Sequence, residues 1–398
     1  MPIHALIQGE SPVKLWGLSA RERLGRQLRE AGGAELVAGP GDLPSSGPVL
    51  LLNAAFLFEV RTLSALMEKS KVQLKHPSTG RIAAVMTDAA GLEEALGCMN
   101  GDSRSVDTLL ETVTPEDLAA FNETLKSAQA PFLEPVSQEN KAELENRLYG
   151  NAYKGITDLV TKFVWPRPAR KAVQVAASIG MSPNMVTSIG LVLVIAACYL
   201  FLHGHYLAGL LAGWIMTFLD TVDGKLARVT VQSTKFGNLY DHIIDLVHPP
   251  FWYIYWGMSL AGFTPVLGFD QQQMYWLIII AYVLGRVVEG VFPLLGSCGI
   301  FTWRPFDAWF RLVTARRNPC LIILTASALA GRPDWGFVAV TFWSVITTLI
   351  LVLRLFQGVV ARLQSGPLES WLSDENVAGG PNAGAFRVFG STRGAYGA

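Results

Sequence analysis

Asp220, Asp223, Asp241 and Asp245 fall within one 26-residue stretch, in which Asp220-Thr-Val-Asp223-Gly224-Lys-Leu-Ala227-Arg228 is followed, after eight residues, by Gly237 and then the second aspartate pair. On a helix, Asp220 and Asp223 are three apart and Asp241 and Asp245 four apart, so each pair shares one face. Two such faces meeting across a short connector form an oxygen-rich pocket suited to hard divalent cations. Long apolar runs flank the cluster on both sides. A charged side chain in a membrane segment costs at least roughly 2–3 kcal/mol, so four together mark a functional site.

The order D-x-x-D-G-x-x-A-R-x8-G-x-x-x-D-x-x-x-D, with every fixed position filled, resembles the signature of the CDP-alcohol phosphotransferases, integral membrane enzymes of phospholipid synthesis. The bland alternative is packing glycines with the carboxylates paired to Arg228 and Lys225; eight fixed residues at matching spacing weigh against it. The resemblance implies that Asp220, Asp223 and Asp241 ligate metal, and that Asp245 is the general base and a further ligand. It implies two Mg2+ or Mn2+ ions, a CDP-alcohol donor, an alcohol or lipid acceptor, CMP as leaving group and a homodimer. It also implies that Asp223, Gly224, Ala227, Arg228 and Gly237 line the CDP site. The chemistry fits these residue types. A divalent pair held by three or four carboxylates clamps attacking and leaving oxygens. A base must reach the attacking hydroxyl, and Asp245 sits one turn beyond Asp241. Glycines let a nucleotide approach the backbone, and the planar fork of Arg228 suits phosphate.

Positioning such a site takes helices that cross the bilayer. The 398 residues average 51% apolar, but this conceals a charged first half, residues 1–150, joined to long apolar runs over 184–360. With about 20 apolar residues needed per span, the sequence predicts six: 184–203, 206–228, 237–261, 274–295, 318–331 and 335–359, the fifth being short. Lys and Arg are absent from 204–206 and 262–273, whereas Arg228, Lys235, Arg304, Arg311, Arg316, Arg317 and Arg362 occupy the alternate loops and the tail. The positive-inside bias puts both termini and the aspartates on the cytoplasmic side, as expected of a bacterial inner membrane protein; Arg332 is the dissenting charge. Lys154 to Ile179, with Lys162, Trp165, Arg167, Arg170 and Lys171, suits a helix in the headgroup layer contacting membrane lipids, broken in two by Pro166 and Pro168. Ser182 is expected to cap the first span, with Pro183 in its first turn. Pro249-Pro250 is expected to kink the third.

Cations beyond the cluster are candidates for an anionic acceptor. Arg311, Arg316 and Arg317 precede the fifth span, and Arg286 lies within the fourth, three residues from Glu289. The bland readings are an ion pair for Arg286 and topology-setting charges for the others. Asn184 and Thr187 offer polar contacts, and His242 and His248 flank the acidic face of the third span, where a packed histidine is the simpler reading.

Residues 1–140 alternate β-prone and helical runs: Ile3–Ile7, Ala20–Ala31, Val49–Asn53, Leu63–Lys69, Arg81–Thr87 and Pro115–Ala128. That pattern argues for a cytoplasmic α/β domain with a largely parallel sheet. It faintly resembles a sugar-nucleotide or cytidylyl transferase, a domain fused to CDP-alcohol phosphotransferases in some bifunctional inositol-phosphate enzymes. The departures are two: Gln8-Gly9-Glu10-Ser11-Pro12 replaces a Gly-rich, Arg-bearing phosphate loop, and Asn53-Ala54-Ala55 stands where an aspartate would hold magnesium. The domain reads as degenerate and inactive, with regulation, assembly or substrate hand-off as its role.

Residues 141–182 read as a linker, polar helix and interfacial helix; 183–362 as the six-helix membrane domain; 363–398 as a flexible tail, disordered from Gly379. Lys+Arg and Asp+Glu number 32 each, so no basic field points to nucleic acid. Four scattered cysteines form no CxxC pair, and Met1–Glu10 has no cleavable leader pattern. The chain is thus expected to be an α-helical integral membrane enzyme with an N-terminal α/β domain, making a phospholipid or phospho-polyol. CDP-diacylglycerol with a phosphorylated polyol is the commonest family chemistry, while the fused domain tilts the donor toward a soluble CDP-polyol such as CDP-inositol. The competing classes are a cation- or proton-coupled transporter using the aspartates and an inactive membrane-tethered scaffold. An aspartate cluster at one end of the spans and the lack of inverted repeats count against the transporter; the complete signature counts against the scaffold.

Overall fold

The computed structural model describes residues 2–100, 110–118, 132–153, 155–373 and 379–390. The chain divides into two compact units, one of Met1–Asn151 with Ala227–Ser233, the other of Ala152–Leu226 with Thr234–Ala398.

The first unit is built on a six-stranded sheet from β1 (His4–Gln8), β2 (Glu35–Leu36), β3 (Pro48–Asn53), β5 (Val72–Lys75), β6 (Ile82–Asp88) and β7 (Glu111–Val113), in the order β2-β1-β3-β6-β5-β7. A short β4 (Phe56–Leu57) pairs separately with β8 (Glu134–Pro135). The run Val49 to Leu52 in β3 is fully buried on both faces, as the continuous apolar stretch requires. Leu50 and Leu52 pack with Leu24 and Leu28 of α1 (Ala20–Ala31) and Leu63 and Leu66 of α2 (Val60–Met67). Val49 and Leu51 pack on the other face with Ala95 of α3 (Leu92–Asn100). The α1 helix starts where a Ser19–Glu22 capping box places it.

The sheet is mixed rather than largely parallel. Both β3–β6 and β5–β6 are antiparallel. The reason is local: β5 and β6 are joined by a hairpin closed by His76 N–H donating to the Arg81 carbonyl, with Gly80 at φ 66°, and so short a connection cannot make a parallel crossover. The expected Pro115–Ala128 helix is described only at its start, where Pro115–Asp117 forms a single 3-10 turn; residues 119–128 lie outside the described residues.

The expected polar linker helix also belongs to this unit. In α4 (Lys141–Asn151), Leu144 is buried among Val13, Leu15, Leu57 and Phe132. Glu145 accepts from the Trp16 backbone N–H at 2.9 Å and, through its carbonyl, from the Trp16 indole at 3.2 Å. The alternating charges of this stretch are its solvent face. Its apolar stripe is too narrow to stand out in sequence.

The second unit is helical: α5 (Leu159–Phe163), α6 (Pro166–Ser178), α7 (Pro183–Leu202), α8 (Tyr206–Val229), α9 (Lys235–Met258), α10 (Gln271–Val291), α11 (Ile300–Trp303), α12 (Pro305–Val313), α13 (Arg317–Leu329), α14 (Pro333–Ser365) and α15 (Ala383–Phe389). The headgroup segment is broken into α5 and α6 at Val164-Trp165, as Pro166 dictates; Lys154 lies outside the described residues. Ser182 caps α7 by accepting from Met185 N–H, with Pro183 in its first turn.

Among the described residues, four segments are long and apolar enough to cross a membrane: 183–202, 206–229, 271–295 and 333–365. The α9 helix, though 24 residues long, carries the aspartates and is less apolar, and α13 has only 13 residues. At about 1.5 Å per residue α13 measures roughly 20 Å, short of a ~30 Å hydrocarbon core. All six helices nevertheless share one core, in which Val194, Met216, Trp252, Ile278, Leu321 and Phe337 are buried together. Helix α9 runs through Pro249 and Pro250, which cannot donate to the carbonyls one turn back. The Tyr282 hydroxyl donates to one of these, the Leu246 carbonyl, at 2.7 Å.

The tail departs from expectation too. Helix α15 forms within the stretch read as disordered, and Phe389 and Ala385 are buried against Ala308, Leu312 and Trp371. Residues 391–398 lie outside the described residues.

Candidate active site

Asp220 and Asp223 occupy the last three turns of α8, and Asp241 and Asp245 the first three of α9. The turn between these helices sets the geometry. Thr234 caps α9, its side chain accepting from Gly237 N–H at 2.9 Å. Gly237 packs closely here: a Cβ would lie 2.7 Å from Asn184 Oδ1 and 3.0 Å from Thr234 Oγ1, so a larger residue would displace these side chains. The aspartate pairs are thereby brought face to face. One carboxylate oxygen from each of Asp220, Asp223 and Asp241 lies within 4.8 Å of the others.

The surroundings of each carboxylate differ. Asp223 is 4% exposed, and its Oδ2 accepts from the Thr187 hydroxyl at 2.6 Å. Its Oδ1 is buried without a hydrogen-bond partner among the described residues. Burying an unpaired carboxylate oxygen is costly unless a cation or donor meets it. Three converging carboxylates with one orphaned oxygen form an all-oxygen, anionic donor set of the kind hard divalent cations take. These residues fit such a metal. Asp245 stands outside the trio. Its Oδ1 accepts from Arg317 Nη1, while Arg317 Nη2 donates to Asp220 Oδ2 at 2.5 Å. One guanidinium at the start of α13 therefore holds a carboxylate from each of the two aspartate-bearing helices. Gly224, Ala227 and Arg228 complete α8 after Asp223, in the order the motif requires.

Residues 180–366 match the family model described as CDP-alcohol phosphatidyltransferase. That region belongs to the CDP-alcohol phosphatidyltransferase family. It is 36% identical over 97 residues to an archaetidylinositol phosphate synthase of Pyrococcus horikoshii, covering 24% of this chain and 50% of that one. Over 124 residues it is 30% identical to a putative cardiolipin synthase of Mycobacterium tuberculosis, covering 30% and 52%. A phosphatidylinositol phosphate synthase of Streptomyces avermitilis is 25% identical over 213 residues, 51% of this chain and 82% of that protein. The chain thus spans about half the length of the first two relatives.

Within this phosphatidyltransferase domain the remaining candidates separate. Arg286 pairs with Glu289 at 2.8 Å, and Arg316 pairs with the other oxygen of the same carboxylate. Arg311 and Arg316 both lie over the Phe301 ring, at 5.3 and 5.8 Å. Burial, then the neighbouring charge of Arg316, pushes the Arg311 guanidinium down to about 9, against the pull of Asp158 and Glu289. It remains a cation at neutral pH. Arg286, Arg311 and Arg316 thus form one basic group, whereas Arg317 is committed to the aspartates. His248 is buried, with Nδ1 2.6 Å from the Ile244 carbonyl and its ring against Trp252; His242 is exposed.

Sequence reasoning placed Arg317 among acceptor-binding cations and did not connect it to the carboxylates. It lies 97 residues from Asp220 and 72 from Asp245, beyond any helical periodicity. Thr187, offered only as a polar contact, is a direct partner of Asp223.

Proposed function

We propose that this protein transfers a phospho-alcohol or phosphatidyl group from a CDP-alcohol to an acceptor hydroxyl and releases CMP. The observation that carries this reading is the trio Asp220, Asp223 and Asp241, gathered within 4.8 Å by two consecutive helices of a CDP-alcohol phosphatidyltransferase domain. Asp220, Asp223 and Asp241 would hold two divalent ions, Mg2+ or Mn2+, with Asp245 as a further ligand. When bound, such ions neutralise the diphosphate and polarise the phosphorus under attack. Gly224, Ala227, Arg228 and Gly237 line the CDP subsite together with Asp223.

The acceptor oxygen bonds to the phosphorus that carries the donor's alcohol. The bond from that phosphorus to the bridging oxygen breaks, and CMP leaves with the electron pair. Asp245 takes the acceptor hydroxyl proton on the carboxylate oxygen that Arg317 does not hold. Arg317 orients that carboxylate and Asp220 together. The basic group of Arg286, Arg311 and Arg316 suits an anionic acceptor. Relatives named for inositol phosphate lipid synthesis support a lipid-linked CDP donor and a phosphorylated polyol as acceptor.

The remaining expectations belong to the same reading: six membrane-embedded helices, both termini and the site on the cytoplasmic side of a bacterial inner membrane, and a homodimer. The N-terminal α/β domain supplies no nucleotide chemistry of its own; Asn53, at the position where magnesium would be held, spends its Oδ1 on the Ala55 N–H at 2.9 Å. A transporter is disfavoured because residues 180–366 match the CDP-alcohol phosphatidyltransferase model with the complete aspartate signature in place.

The test is a panel of CDP donors, lipid-linked and soluble, offered to the purified protein with polyols, polyol phosphates and lipids. CMP is expected from at least one lipid-linked donor only when a polyol or polyol phosphate is present. Absence of CMP from every combination would reject the assignment.

A further inference from the structure

Arg317 holds Asp220 and Asp245, and the next question is what holds Arg317. Its neighbour Asn318 is 3% exposed, and its Nδ2 donates to Asp158 Oδ1 at 2.9 Å and to Thr161 Oγ1 at 3.1 Å. Asp158 is 7% exposed and caps α5, accepting from Val160 N–H and Thr161 N–H at 3.0 Å each and from the Thr161 hydroxyl at 2.8 Å. Burial works against its charge, but Arg311, the Thr161 N–H and Asn318 outweigh that and hold its carboxyl below the usual range. A five-residue helix such as α5 has little stability of its own, so cap and anchor hold it together.

The first two residues of α13 therefore reach opposite ways: Arg317 toward the carboxylates of α8 and α9, Asn318 toward the cap of α5. From this juxtaposition we infer that Asp158 and Asn318 are positioning residues that act through Arg317 on Asp220 and Asp245. The inference deepens the transferase reading and rests on it. The physical basis is that reacting groups displaced by about 1 Å lose on the order of 100-fold in rate, even when the displaced support lies outside the chemistry. Release of Asn318 frees the first turn of α13, and with it the two-carboxylate grip of Arg317.

A merely structural anchor would lower stability without acting through Arg317, so the experiment reads coupling. Full-length protein carrying Asn318→Ala, Arg317→Lys, both together, Asp158→Asn or Thr161→Val is assayed for CMP release and for Mn2+ binding by electron paramagnetic resonance. Asn318→Ala is expected to lower kcat about tenfold with the donor KM held within about twofold, and to shift the Mn2+ Kd about threefold. The double variant should match Arg317→Lys alone in both readouts, because residues in one chain of contacts are not additive. Asp158→Asn, which keeps an acceptor oxygen for the cap and for Asn318, should retain most of the rate. Thr161→Val, a smaller perturbation, should give a weaker loss of the same kind if Asn318→Ala does not fold. Additive losses in the double variant, or unchanged kcat and Mn2+ Kd in folded Asn318→Ala or Thr161→Val, would overturn the inference. If the wild type releases no CMP, the transferase reading fails, and the Mn2+ Kd of Asn318→Ala still decides: no shift overturns the positioning role.

Discussion

Asp223→Asn is expected to lower kcat for CMP release by about a thousandfold or more, as loss of a charge aimed at a phosphoryl transition state does. The substitution leaves volume unchanged and can keep an oxygen toward the Thr187 hydroxyl, so the packing of α7 against α8 survives. What it removes is the formal charge at the centre of the trio and the orphaned, buried Oδ1. Asp223 is also the most buried of the four aspartates. Steady-state CMP release, with the unfolding midpoint in detergent as a control, checks this. A folded variant within tenfold of the wild-type rate would mean that the trio does not carry the reaction.

Asp245→Asn is expected to cost 10²- to 10⁴-fold in kcat, roughly the range for removing a general base. The CDP-alcohol KM should change far less. Asparagine retains an oxygen that can accept from Arg317, so the grip across α8 and α9 is preserved while the proton acceptor is lost. Comparing kcat with the donor dissociation constant separates these effects. Near-normal turnover, or a loss confined to donor binding, would give Asp245 another role.

The four aspartates were legible because helical spacing alone puts each pair on one face. The glycine between them was legible from its fixed place in the motif, and it packs closely beside Asn184 and Thr234. The start of α7 was legible as well, since Ser182 and Pro183 act over one turn. Interactions closed over long separations were not. Arg317 reaches its partners 72 and 97 residues back, and Asn318 bonds to Asp158, 160 residues back. No periodicity encodes such contacts. The antiparallel β6 was misread because short β-prone runs carry no sign of direction; only the length of the turn after β5 does. Helix α15 was hidden by its glycines, although Phe386 and Phe389 supplied an apolar face that found a partner in α12. Whether α9 and α13 are embedded was legible only in outline, since one carries the charges of the site and the other is short.

Removal of divalent metal tests the central claim most directly. The purified protein, assayed with a donor and acceptor that give CMP, should lose turnover in excess chelator and regain it when Mg2+ or Mn2+ is supplied beyond the chelator. The Asp223→Asn variant should regain little under the same conditions. Full activity in excess chelator would contradict the assignment of Asp220, Asp223 and Asp241 as the residues that hold catalytic metal.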